Sequence, residues 1–227
     1  MPAEPWARFD GVGLEADGRT ILSGITLALG ARSTAVIGAN GSGKSTFVRM
    51  LNALRVAGEG SVRVLGLDPV RDAKELRRRV GFVFTNPEAQ ILMPTPAEDV
   101  ALSLRGVPRA DLPVKVAEVL AVYGLEGHRD TPASALSGGQ RQLLAIASVL
   151  ATEPELVVAD EPTTLLDLRN SRRVGDLLLS LDAPVVLVTH DLELAARCEE
   201  AVLFEGGAVS AMGDPRDVIA AYRGACP

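Results

Sequence analysis

Aromatic residues are scarce in this 227-residue chain: five Phe, two Tyr and one Trp make up 4% of it, and none falls between Phe9 and Phe47. Cysteine is scarcer still. Cys198 and Cys226 stand 28 positions apart without CxxC spacing, and a chain of this length needs no disulfide staple, so neither is expected to carry chemistry. No apolar run approaches the roughly 20 residues that take a helix across a bilayer. The longest, Leu143 to Ala151, has nine and includes Ser148, so the chain is not expected to span a membrane by itself. Its first residues, MPAEPWARFDG, lack a basic region followed by an apolar stretch and a small-residue cleavage site, which points to the cytosol. Positive charge is short as well: 23 Lys and Arg face 29 Asp and Glu, for a net charge of −6. That balance disfavours broad binding to a phosphate backbone, and no nucleic-acid partner is expected. The densest basic run, Arg77-Arg78-Arg79, continues a helix-like stretch. It reads as a solvated face or salt-bridge partner, with contact to a partner or a lipid headgroup as the alternative.

What is present is apolar: 47% of the residues, enough to bury a sizeable core. The length corresponds to about one and a half usual domains, hence one domain with an appended lobe. Short apolar runs bounded by turns recur, as buried parallel strands should look: Thr34-Ala35-Val36-Ile37, Leu156-Val157-Val158-Ala159 and Val185-Val186-Leu187-Val188. Between them lie helical periodicities, with Phe47, Leu51 and Leu54 after Lys44, and Leu143, Ile146, Ala147 and Leu150 after Gly139. Strands alternating with helices predict an α/β fold. From about Pro96 to Ala133 the pattern is helical and broken by Pro108, Pro113 and Pro132, which places a helical lobe there. No internal repeat or Gly/Ser-rich linker divides the chain, so the lobe reads as inserted and not tethered.

The segment Gly38-Ala39-Asn40-Gly41-Ser42-Gly43-Lys44-Ser45 fits G-x-x-x-x-G-K-[ST], after an apolar run and before a helical pattern. Glycines there let backbone N–H groups wrap phosphate oxygens, and the following helix aims its positive end at them. Lys44 would neutralise β- and γ-phosphate charge, and Ser45 would ligate Mg²⁺. Asp160 and Glu161 end another apolar run, where open α/β sheets place their ligand crevice. Alternation sends the two side chains in different directions, so Asp160 could hold the magnesium shell while Glu161 orients or deprotonates an attacking water. His190 also follows an apolar run and precedes Asp191, a candidate helix cap. By itself it is either a structural histidine or a hydrogen-bond partner for a γ-phosphate. His128, in a polar loop, carries no functional reading.

With these segments, Leu136-Ser137-Gly138-Gly139-Gln140-Arg141-Gln142 makes nearly the whole chain resemble an ATP-binding cassette (ABC) ATPase. The resemblance implies a P-loop NTPase fold of that type: a parallel-sheet core, an N-terminal antiparallel β region and a helical subdomain at roughly 96–150 within a single domain spanning 1–227. It implies ATP and Mg²⁺ as ligands, with Gly38, Ala39, Asn40, Gly41, Ser42, Gly43, Lys44, Ser45 and Thr46 around the phosphates and Ser45 and Asp160 at the metal. Glu161 and His190 become catalytic residues. Ser137, Gly138, Gly139 and Gln140 form the signature, which meets a nucleotide lying on a second ABC subunit, and Asp167 matches the loop crossing that interface. The partner is either a second copy or a different ATPase.

Within the family, the stretch from Val83 to Thr95, leading to Glu98-Asp99-Val100, is similar to energy-coupling factor (ECF) transporter ATPases, which take up vitamins and metal ions. The cradle and its surroundings most resemble the subunit of biotin-type systems. By that resemblance the protein sits on the cytoplasmic face of the membrane, beneath a membrane-embedded coupling subunit and a substrate-binding membrane subunit. The segment after Asn86 would form the groove receiving a coupling helix, with Glu88, Glu98 and Asp99 as contacts for basic residues. Two positions depart from the pattern. Thr85 stands where the family has a glutamine that reaches magnesium and the attacking water, and no aromatic lies near Ala16 to stack on adenine, which leaves Phe9 as the substitute. Alternative readings are a soluble cassette of repair or translation and a nucleotide-binding regulator that does not turn over. Repair members resemble this chain only with a long insertion between cradle and signature, where only 90 residues separate Ser45 from Leu136.

Overall fold

The computed structural model describes residues 4–164 and 166–225; Cys226 and Leu165 lie outside them. Nine strands are described: β1 (Ala7–Ala16), β2 (Arg19–Leu29), β3 (Ser33–Gly38), β4 (Glu59–Val64), β5 (Val80–Val83), β6 (Leu156–Asp160), β7 (Val185–Val188), β8 (Glu200–Glu205) and β9 (Ala208–Gly213). Eight α-helices are described: α1 (Lys44–Val48), α2 (Ala73–Arg79), α3 (Pro96–Ser103), α4 (Leu112–Val122), α5 (Gly138–Leu150), α6 (Leu168–Leu179), α7 (Leu192–Ala195) and α8 (Pro215–Ala225).

The apolar runs meet in one six-stranded sheet of order β5-β6-β7-β3-β8-β9, parallel except for β9, which runs antiparallel to β8. A second, antiparallel sheet of order β2-β1-β4 comes from the N-terminal region. The fold is thus α/β, with the mixed sheet, antiparallel region and helices expected of the family. Alternation along β3 divides the core. Ala35 and Ile37 pack with Leu143 and Ile146 of α5 and Val174 of α6, whereas Val36 packs with Phe9, Phe47 and Phe204 on the side of the antiparallel sheet. Cys198 is buried, and that burial pushes its thiol up to about 11, so it stays a neutral thiol near pH 7.

Among the described residues only helices and 3₁₀ turns lie between β5 and β6, and α3 packs against α4 and α5. The α5 periodicity is realised, with Leu143, Ile146 and Ala147 all buried. The helix after Lys44 is shorter than its periodicity predicts. Past Val48 the chain tightens to i→i+3 bonds, Met50 N–H to Phe47 O and Leu51 N–H to Val48 O, and Ala53 turns to φ 58°. Leu51 is buried, but Leu54 is exposed and not on a continuing helical face.

Candidate active site

The cradle leaves β3 at Gly38 and enters α1 at Lys44. Glycine is required at Gly43, whose φ is 101° and where a Cβ would come within 2.7 Å of Leu22 Cδ2 and 2.9 Å of Ile21 O. Lys44 Nζ donates to Gly38 O at 2.7 Å and Ala39 O at 2.8 Å, closing the loop on itself. Burial lowers the Lys44 pKa, while the charges of Glu161 and Asp160 oppose that shift. Among the described residues Ser42 Oγ is buried with no hydrogen-bond partner.

Strands β6 and β7 are neighbours, with Asp160 opposite Val188, and the Glu161 N–H donates to Val188 O at 3.0 Å. Their carboxyl ends therefore stand beside the cradle. Asp160 is 1% exposed; its Oδ1 accepts from Ser45 Oγ at 2.9 Å and its Oδ2 faces Arg49 at 3.5 Å. Burial pushes its carboxyl up, against the opposing pull of the Ser45 bond and of Arg49. Glu161, one residue past the end of β6, holds φ at 56°, a strained value for a residue with a side chain. Its Oε2 lies 2.5 Å from His190 Nδ1 and accepts from Thr164 Oγ1 at 2.6 Å. Among the described residues Oε1 takes no bond, which leaves one oxygen of a fixed carboxylate for a ligand or water. Asp191 caps α7 as expected, accepting from the amides of Glu193 and Leu194.

These groups share one cleft of about 510 Å³, lined by Asn40 to Thr46, Thr85, Glu161, Thr164, His190 and Ile21. Four strand ends supply it. The donor set fits a phosphate chain and a divalent cation: Ser45 Oγ and Asp160 Oδ1 already share a hydrogen bond, the buried Ser42 hydroxyl is unpartnered, and Lys44 supplies a positive charge. No cluster of three His, Cys, Asp or Glu that could hold a metal alone exists among the described residues, so such a cation would draw its further ligands from phosphate or water.

Thr85 lines the cleft, and its hydroxyl donates to the backbone carbonyl of Asp160 at 2.8 Å. Phe9 is no substitute for an adenine-stacking ring: it is 1% exposed, with its ring centroid 4.6 Å from that of Phe47. The core needs it because strand alternation turns it inward. Ile21 lines the cleft as an apolar residue. Neither Ile21 nor Thr164 stood out in the sequence, since an isolated Ile in a strand and a Thr in a turn carry no spacing signal.

The signature and Asp167 line no part of this cleft. Ser137 caps α5 in a reciprocal box with Gln140. A Cβ on Gly139 would come within 2.8 Å of the Asn170 carboxamide. Asp167 caps α6 through Asn170, accepting from its N–H at 2.8 Å and its Nδ2 at 3.0 Å. A second groove of about 680 Å³ is lined by Glu88, Ile91 to Pro94, Pro132 to Ser134 and Arg141. Glu88 faces Arg141 at 3.7 Å there, and exposed Glu98 takes part in the Thr95 cap. Asp99 is withdrawn from any partner. It is buried, and it accepts from the Leu92 and Met93 amides and from Ser148 Oγ, which shape the groove's wall.

Residues 22–164 match the ABC transporter family. The biotin transport ATP-binding protein BioM of Rhizobium etli is 39% identical over 95% of this chain and 97% of its own. Among solved structures, cbiO1 of Clostridium perfringens, part of the ABC transporter complex cbiONQ, superposes with a TM-score of 0.85 at 28% identity, covering 96% of this chain and 91% of that one. The ATP-binding cassette MJ0796, a dimer in a post-hydrolysis state bound to ADP and Pi, gives 0.81 at 28% identity over 92% and 99%. On the cradle, the carboxylate pair and these likenesses, the chain belongs to the ABC transporter family and is an ATP-binding ABC ATPase.

Proposed function

We propose that this ATPase powers an uptake transporter of the ECF type, working as one of two cassettes packed head to tail on the cytoplasmic face of the membrane. The observation that carries the reading is the division of the machinery: Asn40 to Thr46, Glu161 and His190 line one cleft, Asp160 is bonded to Ser45 at its edge, and Ser137 to Gln140 lie outside it. A signature that touches no nucleotide of its own chain needs one on a second chain, a copy of this one or a related cassette.

In this reading Lys44 and the backbone amides of Gly41 to Thr46 bind the phosphates. Ser45 and Asp160 hold Mg²⁺, which supplies charge neutralisation on the phosphates when bound. Glu161, pinned on one oxygen by His190 and Thr164, presents Oε1 to the attacking water. Residues 1–227 form one domain, and α3, α4 and α5 support a helical subdomain at roughly 96–150 inserted in the nucleotide-binding core. The groove beside Glu88 and the exposed Leu92 takes a helix of the membrane-embedded coupling subunit, apolar with a basic residue, while a separate membrane subunit binds the cargo. The cargo is a vitamin or metal ion, and the likeness to BioM makes biotin its narrowest form.

The test is phosphate release from purified protein with Mg·ATP, alongside mass measurement with ATP. Glu161→Gln is expected to lower turnover at least about 100-fold, the scale of a lost general base, and to trap an ATP-bound dimer. Unchanged turnover would remove Glu161 from its role. Protein that binds ATP and never hydrolyses it, even beside its membrane partners, would instead favour a regulator.

A further inference from the structure

We propose that His128 is a positioning residue for the signature: its ring accepts the Gln140 carboxamide at Nε2 and so fixes the face that Gln140 turns to Ser137. The cap makes the orientation unambiguous. Gln140 Oε1 accepts from the Ser137 N–H at 2.8 Å, and Ser137 Oγ accepts from the Gln140 N–H at 3.2 Å. A flipped carboxamide would set its NH₂ against the Ser137 N–H, two donors face to face. The NH₂ therefore points away from Ser137, and the group it meets is His128 Nε2 at 2.7 Å. An amide nitrogen only donates, so Nε2 carries the lone pair and the ring proton sits on Nδ1.

The histidine is well placed to act as a stop. It ends the 3₁₀ turn Glu126–His128, its N–H donates to Leu125 O at 2.9 Å, and its carbonyl accepts from Thr131 N–H at 3.0 Å. Leu125 is 1% exposed, so the turn is anchored in the core. At the position preceding Gln140, the Asn170 carboxamide fills the space left by Gly139. The helix entrance thus meets two side chains that belong to neither the cradle nor the signature.

The consequence lies with the Ser137 hydroxyl. Because its oxygen already accepts from Gln140 N–H, its own proton is left to donate outward. That donor reaches a phosphate only in the head-to-tail arrangement proposed above, and the functional part of this inference rests on that reading. Losing the His128 acceptor frees the carboxamide to rotate, loosens the cap and lowers closure of the dimer, while nucleotide binding by the cradle stays as it was.

The test compares His128→Leu, which removes the acceptor, with His128→Gln, whose Oε1 can replace Nε2, each in the Glu161→Gln background. ATP-dependent dimerisation is read by light scattering, affinity for a fluorescent ATP analogue by titration, and Ser137 amide protection by hydrogen exchange in the nucleotide-free protein. His128→Leu should weaken dimerisation about fivefold, the usual worth of an N-cap, speed Ser137 exchange by a similar factor, and change affinity by less than about twofold. His128→Gln should restore both. Wild-type exchange and dimerisation in His128→Leu, or a His128→Gln protein as poor as His128→Leu, would overturn the proposal. If the Glu161→Gln parent itself never dimerises, the head-to-tail reading falls and the exchange rates still decide whether His128 sets the cap.

Discussion

The cradle and the signature are both glycine-bearing entrances to a helix, and they differ in what their own chain puts opposite them. Against the cradle the sheet delivers Asp160, Glu161, Thr85 and His190 from the ends of three strands. Against the signature, among the described residues, a 3₁₀ turn and α6 bring flanking supports, His128 and Asn170, with Ser137 and Gly138 exposed. One half-site is finished within the chain and the other is finished only as a shape. In the reading proposed above, the cradle's contribution to binding belongs to the single chain, while the signature's belongs to two.

Substitution should therefore separate them, with the largest effect at Lys44. Lys44→Ala removes a charge-assisted bond worth about 1.5–3 kcal/mol, so nucleotide affinity of the isolated chain, measured by calorimetry, should fall about 10- to 100-fold. If affinity in Lys44→Ala is unchanged, the cradle is not where phosphates sit. Thr164→Val comes next and divides the cleft itself. It takes away one of the two donors on Glu161 Oε2, so kcat should drop about tenfold while affinity for ATP holds. A rise in KM with kcat intact would mean that Thr164 serves binding instead. Ser137→Ala should leave affinity of the isolated chain alone and weaken ATP-driven dimerisation about fivefold through the lost cap. Weakened binding in the monomer would break the comparison, since it would put the signature on its own chain's nucleotide.

What the sequence made legible follows the same division. Gly38 to Ser45, Asp160, Glu161 and His190 could be read because contiguous or strand-ending motifs tie residue type to position, and the parallel strands were visible as apolar runs. Contacts made across long loops were not. Asp99 looks like a surface acid in a run with Glu98, yet Ser148, 49 positions away, and two amides draw it inside. Phe9 looks available for stacking on a base, but three rings, Phe9, Phe47 and Phe204, pack together from separate elements. His128 sits in a polar loop with no spacing to the signature that one would think to search, and only the turn anchored by Leu125 brings it to Gln140.

Thr85 belongs to neither half, and the smallest predicted effect is there. Its hydroxyl joins the segment leaving β5, which leads to the groove, to the carbonyl of Asp160 on β6. A glutamine at this position would project into the cleft, whereas the shorter threonine bonds to backbone at the cleft's wall. Thr85→Val keeps the shape and removes the donor, leaving one carbonyl without its partner. The cost should be about 1 kcal/mol, lowering the thermal midpoint by about 2–4 °C in a chain of this size, with nucleotide affinity unchanged within about twofold. Turnover of the isolated protein should fall by less than turnover measured with the membrane partners proposed above, because the bond lies between β6 and the groove. Equal losses in the two assays would make Thr85 a local support of Asp160, and its bond no part of the path from groove to cleft.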